Sequence, residues 1–475
     1  MCSGGLGQSD VGAHTDVIGG ITLEFFKKSA ATYSSPQPRS PWNLEPHVAQ
    51  EVFEKMLDQA NVTLVLNAAI LSAHVENSSI VSIDTVDGQT WAASVWIDGS
   101  YEGDLIAQAG CSVSIGRESR EEYNETLAGD HGAADGHEFD AGVNPLGKDG
   151  FPLPGRLLTA AAGASEPIGA GDGKVQAYNF RLCVTKGSQR VPFSKPADYD
   201  SQEWELFRRW IQATNGSSHW LAAPSCNTAP VPNGKYDLNN CGPISTDMIG
   251  WSWSWPTGNR THRAWLFEQH KSYTQGLLYF LSSDAVVPSH IRTEMQTWGL
   301  CGDEFVDSDN WPPQLYVREG RRLVGEAVMT QTTLEDSQKR DIGASSIGMG
   351  GYNYDAHNAQ RFPCVDKALC THYETPYVWN EGDVEQPPGV YQIPVSVLLP
   401  KRTEARNLVA PVPVSASHVA FATLRMEPQF MIMGHAAGQL AAMAALQGRD
   451  VHDVDLNDLH AALAAQGQVL RKPTQ

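Results

Sequence analysis

The stretch MEPQFMIMGHAAGQLAAMAALQG, residues 426–448, constrains this chain more than any other. Pro428 suits the first turn of a helix, where its missing N–H is not needed, and Gly448 supplies a stop. The helix between them is apolar, so other elements have to cover it. Gly434, Ala436, Ala437 and Gly438 keep its surface low near the start. Small residues there let another group approach the backbone close to a helix N-terminus, where anionic groups are favoured.

The other end of the chain predicts partners for that helix. DVIGGITLEFFKKSA puts Val17, Ile18, Ile21, Phe25 and Phe26 on one helical face, and EPHVAQEVFEKMLDQA does the same with Val48, Val52, Phe53, Met56 and Leu57 after a proline start. VTLVLNAAIL, SSIVSIDTVDG and WAASVWIDGS read as strands, and YEGDLIAQAG as a short helix with an acidic first turn. RNLVAPVPVS reads as one more strand before the long helix. Strand, glycine turn and helix therefore recur at both ends, which predicts an α/β fold. The region between, roughly Arg117 to Gln392, is rich in Trp, Pro, Asn and Gly, with helices expected at WELFRRWIQAT and RAWLFEQHKSYTQGLLYFLSS. Long aromatic connections of this kind supply binding surface more often than filler.

Charge narrows the function. Lys plus Arg number 34 against 54 for Asp plus Glu, a formal charge of −20, which repels nucleic acid and anionic lipid. No apolar run reaches the roughly 18 residues of a spanning helix, so no membrane insertion is expected. The eight cysteines include no C-x-x-C pair, which weakens a zinc site. The close pairs Cys226/Cys241 and Cys364/Cys370 are either disulfides or buried thiols. N-x-S/T sequons at Asn61, Asn77, Asn124, Asn215 and Asn259 lean toward a secretory route, with the cytoplasm as the alternative. His262, His270 and His418 have no carboxylate at metal-ligand spacing, and no metal site is expected.

Read in order, GGLGQSDVG, EPHVAQEVF, WIDGSYEGDLIAQAG, GRESREEYNETLAG, VQAYNFRLCVT, GLLYFL, LYVREGRRLVGE, YNYDAHNAQR and LRMEPQFMIMGHAAG resemble the landmarks of a family of FAD-dependent oxidoreductases with a glutathione-reductase-type FAD domain. Some members bear the label xanthan lyase. The resemblance runs from residue 4 to residue 438 and implies FAD as cofactor. It implies a Rossmann-like FAD-binding domain formed by residues 1–116 and 393–475, with an inserted α+β substrate domain at 117–392. Such proteins carry a strand, a G-x-G-x-x-G turn and a helix ahead of the GLG loop; that βαβ unit of roughly 30 residues is missing from the sequence given. By resemblance, Gly4, Gly5, Leu6 and Gly7 lie along the flavin side of the dinucleotide. Asp98, Gly99 and Ser100 form the strand-end turn near its adenosine part, where most members have Asp-Ala-Thr. Arg425, Glu427, Gly434, Ala437 and Gly438 belong to the helix whose N-terminus approaches the ribityl and pyrimidine end. Asp98 reads equally well as a helix cap. For Glu102 and Asp104, too, the plain role of acids at a helix start carries as much weight.

Flavin would carry the redox chemistry, leaving the protein to supply a pocket and a proton donor or acceptor. Tyr101, Arg318, His357 and Arg361 are the catalytic candidates. DAHNAQR gathers an imidazole, an amide and a guanidinium suited to holding hydroxyls or a carboxylate beside a base. The favoured function is oxidation or reduction of a small polar molecule by hydride transfer to or from flavin. A polysaccharide-active lyase or carbohydrate-binding protein, and a cofactor-free remnant, are the alternatives. No NAD(P) fingerprint is present, which leaves oxygen, a quinone or a partner protein as acceptor.

Overall fold

A computed structural model describes residues 3–33, 42–132, 136–158, 166–368, 370, 374 and 377–472; Cys2 lies outside them. Helix α1, Gly20–Ala30, and helix α2, Pro46–Gln59, form where the apolar periodicity predicts them. Their shared core holds Phe25, Phe26, Val48, Ala49 and Val52, and the Phe25 and Phe53 rings stack with centroids 4.2 Å apart. Ile21, expected on the buried face, is exposed. The strand expected from Val62 does not form at its first half: Val62, Leu64, Val65 and Leu66 are exposed and outside any strand, and β1 runs only from Ile70 to Glu76. Apolar, β-prone residues become a strand only beside a partner strand, and among the described residues no strand pairs with 62–66. Strands β2, Ser79–Thr85, and β3, Thr90–Trp91, complete an antiparallel meander with β1. Asn77 and Ser78 both take positive φ in its first turn, the geometry that matches the twist of a two-residue hairpin.

Strand β4, Trp96–Ile97, pairs in parallel with Leu408–Val409, more than 300 residues away. The second of these strands is short because Pro411 and Pro413 lack the N–H that a ladder needs. The long helix, Glu427–Gln447, lies against β4, α1 and the strand Ser346–Gly350. It is covered as its composition demands: Ile432, Met433, Ala436, Ala437, Leu440 and Ala444 are buried.

The middle of the chain has a core of its own, in which Trp204, Phe207, Trp210, Tyr273 and Phe280 pack ring on ring. They come from the helices Glu205–Ala213 and Arg260–Ser283, both legible in the sequence. A five-stranded antiparallel sheet includes Leu182–Thr185 flanked by Lys235–Leu238 and Gly299–Leu300. Disulfides join Cys183 to Cys301 across this sheet and Cys226 to Cys241 beside it. Cys364 and Cys370 are buried thiols instead, the first hydrogen-bonded to the second. The central core spans residues 143–317 together with Val378, whereas Met329, Leu334, Ile347, Tyr354, Tyr391 and Ile393 pack with the C-terminal helices. The architecture is mixed α/β.

Candidate functional site

The glycine-rich start of the chain is bolted to the central sheet. Gly4 and Gly5 have φ of +54° and +88°, and a Cβ on Gly4 would stand 2.7 Å from the Tyr316 backbone nitrogen. A Cβ on Gly7 would meet Val231 at 2.8 Å. The Gly7 and Gln8 amides donate to Asp237 Oδ2 at 3.0 and 2.9 Å, and the same carboxylate holds Arg181. Gly4, Gly5, Leu6 and Gly7 are all buried, and the glycines' lack of a side chain is used for close approach to protein. The residues that follow do reach the long helix: Ser9 Oγ donates to Glu427 Oε2 at 3.3 Å.

The start of the long helix gathers charge. No side chain caps its N-terminus. Arg425 is buried and donates through Nη2 to the Asp355 carbonyl at 2.6 Å, with Asp355 Oδ2 at 3.3 Å. Glu427 accepts from the Tyr316 hydroxyl at 3.2 Å. Burial, then the neighbouring charge of Asp10, pushes the Glu427 carboxyl up to about 7. Asp10 is itself raised by burial, against the pull of Arg181. Asp10 was not singled out from sequence, although it ends the GLGQSD run.

His357 sits between two carboxylates. Its Nδ1 lies 2.8 Å from Asp247 Oδ2 and its Nε2 lies 3.3 Å from Asp355 Oδ1. Burial and Arg318 oppose charge on the ring, but Asp247 and Asp355 outweigh them and hold it above the ordinary imidazole value. Burial opposes ionisation of Asp247, yet Arg318 and His357 bring it down to about 2; Asp355 is likewise lowered, against its burial, by Arg425 and His357. Nearby Asp383 goes the other way, raised by burial to about 7. The result is a line of alternating charge, Arg318–Asp247–His357–Asp355–Arg425, that ends at the long helix. Its members are buried except near Asp355, whose side chain is 22% exposed, against 11% for His357. Ionised and titrating carboxylates side by side are what acid–base chemistry near neutrality requires.

The end of β4 meets the same helix. Tyr101 stands edge-on to Phe430, centroids 5.8 Å apart. Asp98 is buried, accepting from Ser100 N and Oγ and from Ile106 N within the short helix α3, Asp104–Gln108. Its carboxylate shapes the turn, although the residue at the N-cap of α3 is Gly103 and not Asp98. Gly99 is exposed, and a Cβ there would have no neighbour within 4 Å. Glu102 accepts from Trp255 Nε1, and Asp104 pairs with Arg263 and Arg321, tying this turn to the central region.

Other expected residues lie elsewhere. Ala437 is buried in the core, while Gly434 and Gly438 line a largely apolar groove of about 660 Å³ between α1, α2 and the long helix, one to three turns past its N-terminus. Arg318 donates to Ala177 O and Asp247 and stacks over Tyr316, so it acts on His357 through Asp247. Arg361 is held by Asn380, Leu157 O and Pro243 O inside the central core, and belongs to the framework. His418, for which the sequence shows no carboxylate at metal-ligand spacing, pairs with the distant Glu319 at 2.9 Å, an acid that is itself bound by Arg322 and Gln176. Glu45, His47 and Glu304 have metal-like spacing, yet Lys235 Nζ lies 2.6 Å from Glu45 and 2.7 Å from Glu304, so the cation at this cluster is an ammonium.

Side chains of these kinds move protons and hold anions; redox work at such a site falls to the class of enzymes that use a bound organic cofactor. The family model described as FAD dependent oxidoreductase matches residues 1–463, and the chain belongs to that family. Its cofactor is FAD, and its general role is that of a flavoprotein oxidoreductase. No curated protein and no solved structure matches the chain. The uncapped helix N-terminus, the open space at Gly99 and the Tyr101–Phe430 pair fit a flat, partly anionic ring system. Among the described residues no helix is long and apolar enough to cross a membrane.

Proposed function

We propose that the chain oxidises or reduces a small polar organic molecule, with hydride passing between that molecule and FAD. The observation that carries this reading is the line Arg318–Asp247–His357–Asp355–Arg425, which delivers a proton-holding imidazole to the start of the long helix. FAD, when bound, supplies the two-electron chemistry. On this reading β4, Leu408–Val409 and the long helix are parts of a Rossmann-like FAD-binding domain, and the central region within 117–392 presents the substrate.

Gly99, Ser100, Tyr101, Arg425 and Glu427 would hold the cofactor, and the positive end of the helix dipole would favour negative charge on it. Asp247 fixes the His357 ring through Nδ1. The Nε2 contact to Asp355 is longer and lies toward the exposed end, so a substrate hydroxyl can compete for it. His357 then takes the hydroxyl proton in oxidation or returns it in reduction. Arg318 is a positioning residue for Asp247.

The test is flavin content followed by anaerobic bleaching of the flavin band with a panel of hydroxy acids and sugars. Stoichiometric flavin is expected, with reduction slowed by about 10²–10⁴-fold in His357→Gln while flavin content is retained. Purified protein without flavin, an unchanged rate in His357→Gln, or an unsaturated product released from acidic polysaccharide with no flavin reduction would overturn the proposal.

A further inference from the structure

The five N-x-S/T sequons play no part in the flavin chemistry, and their placement is informative. Asn61, Asn77, Asn124, Asn215 and Asn259 are all exposed, whereas Asn179, Asn240, Asn358 and Asn380, which begin no such sequon, are buried. Four of the five occupy turns with left-handed backbone, at φ of 52°, 48°, 54° and 50° for Asn61, Asn77, Asn124 and Asn215. They stand just past α2, between β1 and β2, after the short helix Arg120–Tyr123 and past the helix Glu205–Ala213. Among the described residues no hydrogen bond engages these four exposed side chains, so each amide Nδ2 is without an intramolecular hydrogen bond there. Asn259 caps the helix Arg260–Ser283 by accepting from His262 N at 2.9 Å through Oδ1, which leaves its Nδ2 available too.

An independent observation concerns redox state. The Cys183–Cys301 and Cys226–Cys241 bonds link residues 118 and 15 positions apart, one of them within the central sheet. Disulfides of this structural kind form and persist in oxidising compartments, where sequons also meet the glycosylation machinery.

We infer that Asn61, Asn77, Asn124, Asn215 and Asn259 carry N-linked glycans. The donor is an oligosaccharide on a lipid pyrophosphate. A bond forms between the asparagine Nδ2 and the anomeric carbon, the bond from that carbon to the phosphate oxygen breaks, the lipid pyrophosphate leaves, and the amide proton goes to a base. The glycan on Asn61 stands at the head of the exposed run Val62, Leu64, Val65 and Leu66 and shields it from pairing with another chain.

The experiment takes the full chain from the cells that make it, treats it with a peptide N-glycosidase in ¹⁸O water and maps the peptides. Conversion to labelled aspartate is expected at the five positions and at none of the four buried asparagines. Thr63→Ala and Thr261→Ala leave each asparagine and its turn or cap in place, and each is expected to remove one glycan's mass while flavin content stays constant. Unlabelled asparagine at the five sites, or reduced thiols at Cys183 and Cys301 in the protein as isolated, would overturn the inference whatever the outcome for flavin.

Discussion

Glu427 offers a quantitative test of the site's electrostatics. Its carboxyl is almost fully buried at the start of the long helix, and burial with the charge of Asp10 raises it from 4.5 to about 7. An acid whose folded value lies above its unfolded one is bound to its proton more tightly when folded. Its ionisation therefore costs nothing below pH 4.5, and the cost grows as pH rises toward 7 and then stays constant. At about 1.4 kcal/mol per unit, the displacement amounts to about 3 kcal/mol of stability lost between pH 4.5 and 7. Glu427→Gln keeps an acceptor for the Tyr316 hydroxyl and removes the ionisation. The variant should match the parent at pH 4.5 and exceed it by about 3 kcal/mol at pH 8, roughly 3 °C in Tm for a chain of this length. Thermal unfolding followed by circular dichroism at the two pH values checks this. Equal melting at pH 8, or an equal loss at both pH values, would refute a buried carboxylate held against its charge.

The His357 ring, held above its ordinary 6.5 by Asp247 and Asp355, should give oxidation a rate that climbs with pH as its proton is lost and levels above that higher value. His357→Gln should lack this limb in a pH–rate profile. By linkage the same ring stabilises the fold fully below 6.5, and that contribution should fade as pH rises through the folded value. Asp98→Ala removes the acceptor of three hydrogen bonds at the end of β4 and should cost roughly 2–4 kcal/mol in urea unfolding, with lowered flavin retention. Replacing Cys226 and Cys241 by serine opens a 15-residue loop and should cost about 3 kcal/mol in the same assay.

Local pattern and long-range pairing differ sharply in how readable they are from sequence. The helices Gly20–Ala30, Pro46–Gln59, Arg260–Ser283 and Glu427–Gln447 were legible because burying one face imposes a period on neighbouring residues. The segment 62–66 was not, because a strand exists only by virtue of a partner and an apolar run does not name one. His357 stands out in sequence as a candidate, but its partner Asp247 lies 110 residues away, and Asp355 in DAHNAQR is legible only through the D-x-H spacing. Arg318 and Arg361 looked alike in sequence; the first serves the imidazole line and the second the core, a difference made by what surrounds each. Proximity in sequence identified the Cys226–Cys241 bond as one possibility, and it could not reveal Cys183–Cys301, whose halves meet only when the sheet closes.

The parallel pair of Trp96–Ile97 with Leu408–Val409 has a consequence for biosynthesis. The turn bearing Gly99 and Tyr101 leaves the ribosome early, but the strand and helix that complete it are translated some three hundred codons later. On the proposed reading, in which this turn and the long helix hold the cofactor, a nascent polypeptide has no finished receptacle for a prosthetic group until the last fifth is made. Cofactor capture is thereby deferred to the end of synthesis, and ribosome-stalled chains ending before residue 408 should remain colourless.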